Sequence, residues 1–195
     1  MPSIFPFQQV DVFAERPLEG NALAVISQAD GISDEQMAAL ARWTNLSETT
    51  FILRPTHAEA DYRVRIFTPQ RELPFAGHPT LGTCHVWLAD GGKPRGDYIV
   101  QECAAGLIRI RRSDDQLAFA APPLVRSGPV DEATLQQIAR GIGIEPSRIR
   151  ASNWIDNGPG WVGVLLSSRE EVLALRADYP ALGGLNLGVI APWGG

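Results

Sequence analysis

The chain has 195 residues, 45% hydrophobic and 20% charged, with 17 Lys and Arg against 22 Asp and Glu, a net charge of −5. That composition is globular, and the acidic balance with interspersed signs excludes a basic nucleic-acid surface, so no nucleic-acid partner is expected. Two cysteines, Cys84 and Cys103, are too few for a disulfide scaffold and fit a reducing compartment, and the three histidines do not join them at zinc-ligand spacing.

The opening stretch "MPSIFPFQQVDVF" has no basic n-region and no long apolar run, so it does not resemble a signal peptide. No apolar run approaches the ~20 residues of a membrane helix. A cytoplasmic protein without a membrane partner is the expectation. "FQQVDVF" (7–13) and "ALAVI" (22–26) read as strands separated by the turn residues of "ERPLEGN". Ser33 and Gln36 make a capping box for a helix over 34–43. "TTFILRP" (49–55) is β-rich, and "DYRVRIF" (61–67) alternates, with Tyr62, Val64 and Ile66 on one face and Arg63, Arg65 and Phe67 on the other. A helix over 78–89 follows, closed by Gly91 and Gly92. Strands at 97–103, 106–112 and 116–122 come next; Arg109, Arg111 and Arg112 form the wet face of the middle one. "PPLVRSGP" (122–129) is the boundary candidate. Beyond it the sequence predicts a helix over 131–140, strands near 151–156 and 161–166, a short helix capped by Ser168 and Glu171, and a last strand in "LNLGVIAP". Helices segregate among hairpins, which makes the fold α+β. There is no internal sequence repeat.

Two stretches carry possible chemistry. In "FAGHPTLGT" (75–83), Pro79 suits the first helical position, which makes His78 the N-cap. The helix after it has almost no charge before Asp90, so it should be buried nearly all round. Leu81, Cys84, His85 and Leu88 share one face. Gly82 costs about 1 kcal/mol against alanine in a helix interior; close packing against strands is one reason to keep it. A buried helix start exposes N–H groups and partial positive charge, so the backbone at Gly77 and His78 can grip an anion. Alternatively, His78 merely caps the helix. In "TNLSETTF" (44–51), Glu48 precedes a strand among Ser and Thr, where apolar neighbours would raise its pKa and suit it to general acid/base work. The competing reading is a solvated charge at a turn.

"DVFAERPLEGNALAV" (11–25), "NLSETTFIL" (45–53), "RIFTPQRELPFAGHPTLGT" (65–83) and, more loosely, "DNGPGWV" (156–162) resemble the phenazine-biosynthesis isomerase-like family, which has the diaminopimelate-epimerase fold. The resemblance implies two similar lobes, each a curved mixed sheet around a central helix. It makes Glu48 and His78 the catalytic residues, Glu48 as acid/base and His78 beside a substrate carboxylate, with Gly77, His78 and Asn21 as the substrate-binding set. It also implies proton movement without metal or organic cofactor, in keeping with the absence of a phosphate-binding loop or dinucleotide fingerprint. The related epimerases use paired thiols at the starts of their central helices. Here that helix opens with Gly77-His78, Cys84 lies inside it and Cys103 on a strand, so the thiol mechanism is disfavoured.

The family's second half-lobe, opened by an acidic motif with "TGSA", has no counterpart in this sequence, which stops at "GVIAPWGG". The expectation is a first lobe at 1–121 and a partial second lobe at 130–195, whose uncovered apolar faces would favour a homodimer. The implied function is a cofactor-free isomerase acting on a small carboxylate. The alternative is an inactive remnant, or a module that binds a small anion without turning it over.

Overall fold

After its first residue, strand β2 (Asn21–Ile26) reads as an unbroken apolar run because both of its faces are covered. In the computed structural model, residues 4–114 and 116–193 are described; the ends of "MPSIFPFQQVDVF" and "GVIAPWGG" (1–3 and 194–195) lie outside them. The chain divides into two compact units, Met1–Pro122 and Pro123–Gly195.

In the first unit, β1 (Phe7–Val12), β2, β3 (Glu48–Leu53), β4 (Tyr62–Phe67), β6 (Ile99–Cys103), β7 (Gly106–Ser113) and β8 (Gln116–Phe119) lie side by side in that order, with the short β5 (Glu72–Leu73) added to β4. The β2–β3 and β4–β6 pairs are parallel and the other pairs antiparallel. Helix α1 (Asp34–Thr44) covers one face. Its capping box forms as expected, with Ser33 accepting from the Gln36 N–H and Gln36 accepting from the Ser33 N–H. Beneath it Met37 and Ala41 pack with Ile26, Phe51 and Phe67, and the two phenylalanine rings meet edge to face at 5.6 Å. The alternation of β4 holds: Tyr62, Val64 and Ile66 turn to the opposite face, into the larger core with Leu23, Val25, Cys84, Val86 and Ile110.

Helix α2 (Gly77–Ala89) lies on that opposite face, against β1, β2 and β3. Gly82 is there for space: a Cβ would sit 2.6 Å from Leu23 Cδ2 and 2.8 Å from Val12 Cγ2. Two details differ from the sequence reading. The N-cap is Ala76, not His78, and no side chain caps the helix. Nor is α2 buried all round. His85 and Ala89 are exposed, and a groove of about 360 Å³ lined by Val10, Val12, Phe13, Leu81, His85 and Leu117 runs beside them. The edge strands β1 and β8 leave that stripe uncovered. Buried hydroxyls and an amide tie α2 to the sheet. Tyr62 donates to Gln101 Oε1 (3.0 Å), Gln101 Nε2 to Thr80 Oγ1 (3.1 Å), and Thr80 to the Ala76 carbonyl (2.9 Å). Thr83 donates to Thr50 at 2.8 Å. Both cysteines are buried and free, and Arg109, Arg111 and Arg112 are exposed.

The second unit has a four-stranded sheet in the order β12 (Asn186–Ile190), β11 (Trp161–Leu165), β10 (Ala151–Asp156), β9 (Arg126–Gly128), with helices α3 (Glu132–Ile142), α4 (Arg169–Ala174) and α5 (Tyr179–Leu182). Strand β9 falls within the "PPLVRSGP" stretch, ahead of the start expected at 130. One face of the sheet packs Trp154, Val162 and Val164 against Ile138 and Ile142 of α3 and Leu182 of α5.

The two units share a topology that no sequence repeat announces. In each, an antiparallel hairpin (β1–β2, β10–β11) leads through helix to a strand that returns parallel to the hairpin's second member (β3, β12). An aspartate braces each hairpin loop: Asp11 accepts from the Leu18 N–H, and Asp156 from the N–H groups of Gly158 and Gly160. Among the described residues no helix is long and apolar enough to cross a membrane.

Candidate active site

A parallel pair of strands starts at one end of a sheet. The β2–β3 register sets Leu23 opposite Glu48, so Asn21, Ser47 and Glu48 gather at that end although 26 residues separate Asn21 from Ser47. Helix α2 opens at the same place and adds His78, 57 residues from Asn21. Phe119 lies against the helix start, 3.4 Å from where a Gly77 Cβ would stand.

Four side chains form the cluster. Ser47 Oγ donates to Asn21 Oδ1 at 3.0 Å. Asn21 Nδ2 meets His78 Nδ1 at 3.2 Å. His78 Nε2 comes within 3.3 Å of Glu48 Oε2, with the two side chains 10% and 16% exposed. Those two facing atoms are buried and have no hydrogen-bond partner, so the approach is close without being aligned.

Nor is the approach an ion pair, because burial drives both groups toward their neutral forms. It raises the Glu48 carboxyl above its ordinary range, an effect that the neighbouring Ser47 offsets in part. It lowers the His78 imidazole to about 4. His78 is therefore neutral at pH 7, and Glu48 is moved toward the range in which a carboxylate can both take and return a proton. A buried carboxylate oxygen and a ring nitrogen that face each other unsatisfied are costly unless a third group completes them.

The residues singled out from sequence thus meet: Glu48, His78, Gly77 and Asn21 lie at one end of the first unit. Asn21 bonds to the His78 ring and to Ser47. Ser47 stands inside the "NLSE" stretch but carried no assigned role; its signal was adjacency to Glu48, and its use depends on a strand it cannot see in sequence. Cys84 and Cys103 lie in the core, not at the helix start. Among the described residues no three His, Cys, Asp or Glu side chains converge as a metal ion requires.

The sequence profile of phenazine biosynthesis-like proteins matches residues 10–185. The chain belongs to that family. Among the relatives of the phenazine biosynthesis-like chain is the Schizosaccharomyces pombe protein "Antisense-enhancing sequence 1", 38% identical over 184 residues, a match that covers 90% of this chain and 62% of the relative. Another is the Pseudomonas aeruginosa trans-2,3-dihydro-3-hydroxyanthranilate isomerase, 37% identical over 175 residues, covering 89% of this chain and 61% of the relative. A phenazine biosynthesis protein of the PhzF family from Bacillus anthracis, known as a crystal structure, superposes with a TM-score of 0.75 at 21% identity, over 95% of this chain and 66% of that one. The fold is the α+β, diaminopimelate-epimerase type. The chain spans about three fifths of the length of the two curated relatives.

Proposed function

We propose that this phenazine biosynthesis-like chain carries the proton-transfer lobe of an isomerase that acts on a small carboxylate, with Glu48 as the general acid/base. One observation carries the reading: Glu48 Oε2 and His78 Nε2 are buried, face each other at 3.3 Å, and lack hydrogen-bond partners. The Pseudomonas aeruginosa relative is named for isomerising trans-2,3-dihydro-3-hydroxyanthranilate, which supports the reaction class.

The chemistry balances within the substrate. Glu48 takes a proton from one carbon, the freed electron pair delocalises through the neighbouring double bond, and the proton returns at another carbon. Nothing is oxidised or reduced, and no co-reactant is consumed. The neutral His78 ring supplies a hydrogen-bond donor that orients the substrate. The uncapped start of α2, at Gly77 and His78, offers N–H groups and partial positive charge to the carboxylate.

The test is deuterium incorporation. The chain is incubated in D₂O with trans-2,3-dihydro-3-hydroxyanthranilate, and label is followed by NMR. Wild type incorporates deuterium, and Glu48→Gln does so slower by roughly 10²-fold or more with its fold intact. Binding without exchange in the wild type would leave an anion-binding module. Equal exchange in both proteins would remove Glu48 from the mechanism.

A further inference from the structure

We infer that Asn21 is a positioning residue that holds the His78 ring in its Nε2–H tautomer, so that the ring's one N–H faces Glu48. The inference deepens the proposed acid/base reading of this site and rests on it for its functional meaning.

Three contacts lead there. An amide nitrogen only donates. Asn21 Nδ2, 3.2 Å from His78 Nδ1, therefore makes Nδ1 the acceptor. A neutral imidazole with an accepting Nδ1 carries its hydrogen on Nε2. Ser47 Oγ donates to Asn21 Oδ1 at 3.0 Å and gives the oxygen a partner on that side; since a hydroxyl also accepts, it is the Glu48 edge of the ring that decides against the turned amide.

The other edge of the ring agrees. Nε2 stands 3.3 Å from Glu48 Oε2, and in the ionised form that takes a proton from substrate Glu48 wants a donor there. The opposite tautomer would set an N–H against the Asn21 NH₂ group and a nitrogen lone pair against the carboxylate oxygen. Both edges would then repel, in a place where the side chains are 10% and 16% exposed and water offers little relief. A protonated ring would meet the same clash at Nδ1, and burial independently keeps the ring neutral.

The functional consequence is a division of labour. With its Nε2 already protonated, His78 cannot accept a proton from substrate at that atom. It serves as a donor aimed at the reacting groups and leaves proton abstraction to Glu48. Asn21, first read as part of the substrate-binding set, has its amide committed to Ser47 and His78 and acts through the ring.

Ring ¹⁵N spectra of the full labelled chain, without substrate, test this directly. The chain has three histidines, and loss of one signal set in His78→Gln assigns the ring. At neutral pH the wild-type His78 is expected to show a protonated Nε2 and an unprotonated Nδ1. Asn21→Asp keeps the shape but presents an acceptor, and should move the hydrogen to Nδ1. Asn21→Leu should leave a mixture of tautomers. A wild-type ring already in the Nδ1–H form, or a tautomer unchanged in both variants, would overturn the inference. The wild-type spectrum alone suffices should a variant fail to fold. The readout also separates the two proposals. An Nε2–H ring in a chain that does not exchange deuterium sinks the isomerase reading and spares this one. An unmoved tautomer in an exchanging chain does the reverse.

Discussion

Leu23 and Glu48 are partners in the parallel register of β2 and β3. That pairing decides where the carboxylate goes. It sets Glu48 at the end of the sheet where β2 begins and α2 opens, half buried beside His78 rather than out in solvent. Because the side-chain period of a strand is two, a slip of one residue in β3 would turn Glu48 to the α1 face and move Thr49 into its place. The hydroxyl of Thr49, bonded to Thr44 at 2.8 Å beneath α1, resists that slip.

The titration of His78 should appear in stability. Its imidazole is lowered from 6.5 to about 4 in the fold. Between those values the unfolded chain binds the proton and the folded chain does not, so stability falls as pH drops through that window. The raised Glu48 works the other way, its contribution being lost as pH rises through its folded pKa. Glu48→Gln removes that opposing effect. Urea unfolding of Glu48→Gln and of Glu48→Gln/His78→Gln from pH 7 to pH 4 should show the steeper decline in the first. Parallel curves would mean that His78 titrates normally.

The thiols should be inert. Cys84 is fully buried and its thiol is pushed up to about 12, and burial also raises Cys103. Since the thiolate is the reactive species, neither should label with a thiol reagent in the native protein, and any deuterium exchange should survive the treatment. Rapid labelling that substrate prevents would place a thiol in the site.

Gln101 links β6 to the first turn of α2, with its amide between the Tyr62 hydroxyl and Thr80. Gln101→Leu leaves both hydroxyls buried with a partner lost, at a cost of about 1–3 kcal/mol. Denaturant unfolding should register that loss. A change within about 0.5 kcal/mol, the range of ordinary surface substitutions, would show that the network can rearrange freely.

Association remains a proposal, and the second unit suggests where to look. Ile155, Trp161 and Ile190 are 43%, 40% and 64% exposed. Strand alternation sets them on the sheet face opposite Trp154 and Val162, with Gly163 packed beside Ile155. Burying such a face is worth about 25 cal/mol per Å². Sedimentation of the purified chain should therefore reveal self-association, weakened by Ile155→Glu or Trp161→Glu. A wild type that stays monomeric at high concentration would count against a homodimer through this face.

Much of this protein was legible from its sequence because the deciding interactions are local. Ser33 and Gln36 specify the start of α1 within one turn, and the alternation of β4 specifies its two faces within one strand. Pro79, Gly82 and the lack of charge before Asp90 mark α2 as an inner helix, and the stretches around Glu48 and His78 carried the family resemblance and with it the candidate residues. What stayed hidden depends on partners distant in the chain. Pro79 is tolerated within the first turn and stands third in this helix, so the cap at Ala76 escaped, and the exposure of His85 follows from which strands end up as sheet edges. The two-residue β5 forms only because β4 offers it an edge. The burial that raises Glu48 and lowers His78, and the contacts from Ser47 through Asn21 to the ring, exist only once parallel pairing has brought two strand starts and a helix start together; no spacing in the sequence encodes a distance across a sheet.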